Sequence, residues 1–417
     1  MRAHDTLKQS MKLPHIPRLS TFRMGRPQRL AALLLLILLA ECSWVIAHQT
    51  LSSADYRYAR CGREMWERPS PLAGYFTTCG NLNGDGTFAY RLAGFPLTAQ
   101  RLVLLGADRM RKPQDRLYTG STLNGSTWEA RHQISSVPWL MHMPFVMFAL
   151  WLGAGLWWVA RRIFGNEGGF LALALYVFCP AVIASAVRPN NEILAMWGLY
   201  GLVYTAIGVA HALQGPRSKW RPRILLLTAA LGLTAAAHLL AAIFGFLASL
   251  VLMFYLAERR RSAVLLVVTY SAIGALLVEL AFFSFRLAPF SYIFTGGAGR
   301  FWFSTLGVRT FVRDQSEWPI LIAAAAALIV WAGSRRSRYF GNTAPLLLLP
   351  AILFLQTTQV FSAPWLWALP FLFTFIGGVF ADALESRQRK LYLATSGLLI
   401  ATQAIACIAQ LSSLAHA

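Results

Sequence analysis

The chain has 417 residues, 56% of them hydrophobic and only 13% charged, and carries 38 lysines and arginines against 17 acids for a formal charge of +21. A soluble domain carries about a quarter charged residues, so the composition excludes an ordinary soluble enzyme. The basic residues stand in small clusters between apolar runs, which is the positive-inside pattern and argues against a nucleic-acid partner.

A hydrocarbon core about 30 Å thick takes roughly 20 apolar residues per helix. On that basis the sequence predicts an all-α polytopic membrane protein with about eleven transmembrane helices. They fall at 30–48, 138–159, 168–187, 192–213, 224–239, 241–257, 263–285, 319–333, 344–358, 364–382 and 391–411. Residues 1–29 form a basic cytoplasmic tail, and 30–411 the multi-span domain with extracytoplasmic loops at 49–137 and 286–318. Residues 412–417 are an outer C-terminal tail, because an odd helix count puts the C-terminus outside. The basic stretch before the first span is long for a signal peptide, so that span reads as a retained anchor.

Charge tests this orientation. With the N-terminus cytoplasmic, the inside loops hold Arg161/Arg162, Arg217/Lys219/Arg221/Arg223, Arg259/Arg260/Arg261, Arg335/Arg336/Arg338 and Arg387/Arg389/Lys390. The short outside loops hold only Arg188, and the long outside segments do not count in the rule. The expected location is therefore the cell inner (plasma) membrane.

Ionisable residues inside spans are costly and commonly face a cavity or a partner. Glu41, His142, Glu192, His238 and Glu279 all fall toward outer ends, while His211 and Asp382 fall at inner ends near basic loops. Each alone suits snorkelling or a local ion pair. Together they suggest a site at the outer interface.

The first long loop contains Cys61 and Cys79, two of five cysteines that follow no metal-ligand spacing. A bridge between them would stabilise the loop by about 3 kcal/mol on the entropy model. Asn81-Leu82-Asn83-Gly84-Asp85-Gly86 resembles the start of a calcium loop, but its twelfth position is Leu92, so a glycine-rich turn is the better reading. Trp128-Glu129-Ala130-Arg131-His132, just before the second span, suits a helix in the headgroup zone. Glu129 and Arg131 are candidates there for acceptor or lipid contact.

Arg161-Arg162-Ile163-Phe164-Gly165-Asn166-Glu167-Gly168-Gly169, then Leu171-Ala172-Leu173-Ala174-Leu175-Tyr176 and Cys179-Pro180, resembles the GT-C superfamily of membrane glycosyltransferases. Within it the stretch is similar to the RgtA/B/C/D-like branch, related to protein mannosyltransferases and aminoarabinose transferases. The resemblance implies a GT-C-like fold and a polyprenyl-phosphate-linked sugar donor. It also implies an envelope glycan, lipid or protein as acceptor, and a catalytic acid in the first outer loop. Carried onto this sequence, the catalytic residues are Asp55 and Glu192, the latter within Arg188-Pro189-Asn190-Asn191-Glu192. His238 stands where relatives often carry a lysine near the donor phosphate. Asp55 is followed by Tyr56, where many relatives have an Asp-Glu pair.

Inverting transfer from a lipid phosphate needs a base for the acceptor proton and cations for the departing phosphate. Asp55 is the candidate base, and Arg57, Arg188 and His238 are candidate phosphate ligands, arginine being suited to bidentate contact. The chemistry also admits a divalent metal ion held by oxygen ligands between Asp55, Glu192 and the donor phosphate. Two rival functions stay open: a lipid-linked substrate transporter or flippase, and a catalytically inactive GT-C relative in envelope assembly.

Overall fold

In the computed structural model the described residues are 25–67, 86–111, 137–216, 220–285, 287, 301–313, 318–357 and 363–416. Helix α1 (Arg26–His48) opens with Pro27 in its first turn, where a missing N–H costs no hydrogen bond. Two helices of the first long loop follow, α2 (Ser53–Glu67) and α3 (Phe88–Arg111). Next comes α4 (Val137–Val177), 41 residues broken at Gly165, whose φ of 82° and ψ of −174° favour glycine.

That break is a reversal. The Tyr176 hydroxyl donates to the Ala149 carbonyl at 2.7 Å although the two lie 27 residues apart. Along a straight helix they would be about 40 Å apart. The two halves of α4 therefore form an antiparallel hairpin, and they carry the segment at 138–159 and the first half of that at 168–187 as separate passes.

After the short α5 (Pro180–Ala186) comes α6 (Glu192–Leu213), then α7 (Trp220–Ala237) and α8 (Leu239–Leu256). His238 separates the last two in an extended conformation, φ −152° and ψ 113°. The α6 and α8 C-termini meet, because the Gln214 side-chain amide donates to the Leu256 carbonyl at 3.0 Å. The chain thus turns back at His238. Helix α9 (Arg261–Phe282) follows, then α10 (Leu306–Arg313), α11 (Trp318–Gly333) and α12 (Phe340–Leu353). A 3₁₀ turn, Pro364–Ala368, leads into α13 (Leu369–Leu384), and α14 (Arg389–His416) ends the described chain.

Seven of the described helices are long and apolar enough to cross a membrane, or eight if α10 and α11 form one bent span. This count takes the two-pass α4 once and leaves out α7 and α12. Each of the eleven expected segments lies mainly on a helix or a helical half, with two corrections. The segment at 168–187 is broken at Cys179, between the end of α4 at Val177 and the short α5. The segment at 344–358 stops being helical at Leu353, and β2 (Leu355–Thr357) pairs antiparallel with β1 (Phe301–Phe303). Pro345 and Pro350 weaken the end of α12 by removing backbone donors.

The core lies around α13. Its span, with the preceding turn, is 94% buried within the protein, against 17% for α14 and 28% for α9. Phe371, Phe373 and Phe375 are fully enclosed there, while Leu398, Ile405, Leu265 and Leu266 on the outer helices face outward as lipid-contacting side chains do. A Cβ on Gly377 would lie 2.6 Å from the Gly168 carbonyl, so the small residues let α13 and α4 approach at backbone distance.

The loops sort into two ends. Arg389 pairs with Glu167 at 3.1 Å, Arg336 with Glu385, and Arg260 donates to the Leu213 carbonyl at 2.6 Å. These contacts gather the arginine-bearing loops at one end. At the other end, Gly86 N donates to the Ala237 carbonyl at 3.0 Å and the Thr87 hydroxyl to the Phe282 carbonyl at 3.0 Å. The first long loop therefore docks over the α7–α8 break and the end of α9.

Candidate functional site

Helix α2 begins with a capping box. The Ser52 backbone N–H donates to Asp55 Oδ2 at 2.7 Å, and the Asp55 N–H donates to Ser52 Oγ at 3.2 Å. Such reciprocal bonds satisfy orphan donors at a helix start and fix the entering chain. Asp55 is thereby held inward, 2% exposed. Helix α3 holds α2 in place through Tyr58 stacked on Tyr90 at 4.4 Å and through Glu67, which receives Arg63, Arg101 and Thr98. Gly62 of α2 rests against the Tyr90 carbonyl and Gly94 of α3.

Asp55 Oδ2 is taken up by the cap, and Oδ1 faces His142 Nε2 at 3.8 Å. On the far side of that ring the Gln49 amide nitrogen lies 2.8 Å from Nδ1 and donates to the Val187 carbonyl at 3.0 Å. Only the NH2 group can donate to a carbonyl, which fixes the amide orientation. Nδ1 is therefore the acceptor, and the proton of a neutral ring sits on Nε2, pointed at Asp55. The result is a buried line from Val187 through Gln49 and His142 to the Asp55 carboxylate.

Val187 opens the turn that carries the next group of residues. Asn190 accepts from the N–H groups of Glu192 and Ile193 at 2.9 and 3.1 Å and donates to the Arg188 carbonyl at 3.0 Å. It thus caps α6 from outside the helix. Arg188, half-buried, lies within electrostatic reach of His142, and its guanidinium has no hydrogen-bond or ion-pair partner among the described residues. Beside it the Asn191 amide is 5% exposed, and neither its oxygen nor its nitrogen has a partner among those residues.

Glu192 points elsewhere. Its two oxygens accept from the Ala363 N–H at 2.9 Å and the Trp367 indole N–H at 2.6 Å. His238 packs edge-on against the same indole, centroids 4.8 Å apart. Glu192 and His238 are therefore brought together on Trp367, a residue no sequence signal marked, and Glu192 ties α6 to the turn before α13.

Arg57 lies two residues past Asp55, about 200° around the helix, and is exposed on the other face. The structure does not bring it to the Asp55 group. Cys61 is fully buried and disulfide-bonded. Its expected partner Cys79 lies outside the described residues, as do Glu129, Arg131 and the glycine-rich turn up to Asp85. Among the described residues no group of three or more His, Cys, Asp or Glu side chains could hold a metal ion. Asp55 and Glu192 belong to separate hydrogen-bonded groups, so among the described residues no set of carboxylates gathers around one ion, and no step is routed through one.

No family model and no curated protein matches the sequence. The fold is similar to the crystal structure of ArnT from Cupriavidus metallidurans in the apo state, with a TM-score of 0.54 at 15% identity over 89% of this chain. The likeness covers 63% of that structure, so this chain spans less than two thirds of its length. With the helical hairpins above, it gives the chain an ArnT-like fold, that of an all-helical polytopic membrane protein.

Proposed function

We propose that the chain is a membrane glycosyltransferase that moves a sugar from a polyprenyl-phosphate donor to an envelope acceptor at the outer face of the inner membrane. One observation carries the reading. His142 Nε2, Gln49 Oε1 and both polar atoms of Asn191 are buried without hydrogen-bond partners among the described residues, in the elements around Asp55 and Arg188. Buried polar atoms are almost always paired, and a set of orphans at neighbouring ends of α1, α4 and α6 is what a polar ligand would satisfy.

In this reading the acceptor oxygen attacks the anomeric carbon and its proton passes to Asp55 Oδ1, the oxygen not used by the cap. The bond from sugar to phosphate breaks, and the lipid phosphate leaves with the electron pair. Arg188 balances the charge on that phosphate. The His142 Nε2–H, facing Asp55, stabilises the carboxylate and orients it. Glu192 acts by positioning: it holds the turn before α13 against α6 and leaves proton transfer to Asp55.

The test is Asp55→Asn, assayed as sugar release from a polyprenyl-phosphate donor by purified protein in lipid. Asn still accepts the Ser52 N–H, so the cap and the fold survive. Removing one acid/base group lowers rate by about 10²–10⁴. Unchanged turnover in the variant would remove Asp55 as the base. An inactive wild type with every donor would favour the inactive-relative reading instead.

A further inference from the structure

The opposite end of α6 carries a second, chemically different feature. A cavity of about 550 Å³ lies between the end of the first half of α4, the end of α6 and the start of α7. Its walls include Trp158, Arg162, Tyr204, Ile207, His211 and Arg223. From Glu192 to His211 along α6 is about 29 Å, so this cavity is separated from the Asp55 group by the thickness of a hydrocarbon core.

Its charge is of one sign. Arg162, His211 and Arg223 line the cavity, and none has an ion-pair or side-chain hydrogen-bond partner among the described residues. Arg162 lies over the Trp158 ring at 5.7 Å, a contact that holds the guanidinium at the rim without neutralising it. Arg223 is admitted by Gly208, because a Cβ there would come within 2.8 Å of Nη1. The remaining wall, with Val159, Ile163 and Ile207, is apolar. Two guanidiniums and an imidazole at the end of three helices, above an apolar wall, form a cradle for an anion that carries a hydrocarbon tail.

We infer that this cavity is a binding site for a phosphate-bearing lipid headgroup in the leaflet opposite Asp55. The phosphate lies between Arg162 and Arg223, with His211 beside it, and the upper acyl chain covers Ile207 and Tyr204. The site is independent of the transfer reaction. It anchors the α4, α6 and α7 ends to one lipid.

The experiment is native mass spectrometry of the full chain titrated with phosphatidylglycerol, with phosphatidylcholine as the neutral comparison. Wild type is expected to bind phosphatidylglycerol preferentially. Each cation beside an anionic lipid contributes about fivefold in affinity, so Arg162→Gln/Arg223→Gln weakens binding roughly thirtyfold. Arg57→Gln, on the exposed face of α2 at the other end of the bundle, leaves it unchanged. Gly208→Leu keeps every charge but fills the cavity, and it too must lose the lipid, which keeps the test open should the double variant fail to fold. Equal binding of the two lipids by wild type, or wild-type affinity in either folded cavity variant, overturns the inference. Displacement by inorganic phosphate at matched concentration would overturn the lipid as source and leave a simple anion site.

Discussion

The two ends of the bundle handle charge in opposite ways. At the Asp55 end, Asp55, His142, Asn191, Glu192 and His238 are each less than a tenth exposed. At the arginine-rich end, Arg336, Glu385, Arg389 and Glu167 pair across loops while staying largely exposed. A buried polar group that loses its partner pays its full desolvation penalty, whereas an exposed ion pair is screened and contributes little. The contrast teaches that the first end is built to hold particular groups in particular places, whereas the loop-to-loop pairs of the second need little more than net charge at the membrane surface.

The sharpest way to break the comparison is to ask which end faces out of the cell. Among the described residues the cysteines outside a disulfide, Cys42, Cys179 and Cys407, are all buried, so an introduced exposed thiol will report with little background. Ser53→Cys at the start of α2 should react with a membrane-impermeant maleimide in intact cells, and Ser386→Cys beside α14 should react only after lysis. The effect is close to all-or-none. The reverse pattern overturns the outward-facing transfer site along with the orientation.

A second prediction concerns the cost of disturbing the buried end. Trp367→Phe keeps the ring against His238 but removes the donor to Glu192 Oε2. The carboxylate oxygen is then left buried without that bond, and stability should fall by about 1–3 kcal/mol. Thermal unfolding in detergent measures this. The combination with Glu192→Gln should cost less than the sum of the two single changes, as for residues sharing one hydrogen bond. Full additivity would mean that Glu192 and Trp367 act separately.

These contacts also show what was legible in the sequence. The helical segments were, because about 20 apolar residues in a row have few alternatives in a bilayer. The reversal near Gly165 was legible too, as the gap between the segments at 138–159 and 168–187. His238 was placed at the break between two segments, and it lies there. The site was legible only in part. Glu192 carries charge at the end of an apolar span and Arg188 alone does so in the short outside loops, which marks them, whereas Asp55 stands among many charged residues and was marked only by the GT-C resemblance. Gln49, Asn191 and Trp367 are polar or aromatic residues at interface positions, where such types are common, and their partners lie far away in the chain. Gln49 reaches His142 across 93 residues and Glu192 reaches Trp367 across 175. No local pattern encodes pairs of that separation. Arg57 misled for the converse reason: closeness to Asp55 in sequence put it on the other face of α2. The pairing of β1 with β2 had no signal because three-residue strands show no usable alternation.

The smallest effect belongs to the arginine-rich end. The Arg389–Glu167 pair at 3.1 Å joins α14 to the turn at Gly165, two segments 222 residues apart, and so looks like a clasp on the fold. Its side chains are 67% and 48% exposed, however, and water screens the attraction while both chains give up rotamer freedom to meet. Arg389→Gln should therefore change unfolding stability by about 0–1 kcal/mol, and high salt should erase even that. The fold there is held by α13 against α4, where glycines bring the backbones together without charge. A loss well above 1 kcal/mol, persisting in molar salt, would mean that the loop pairs of the arginine-rich end are also specific contacts, and the contrast between the two ends would fail.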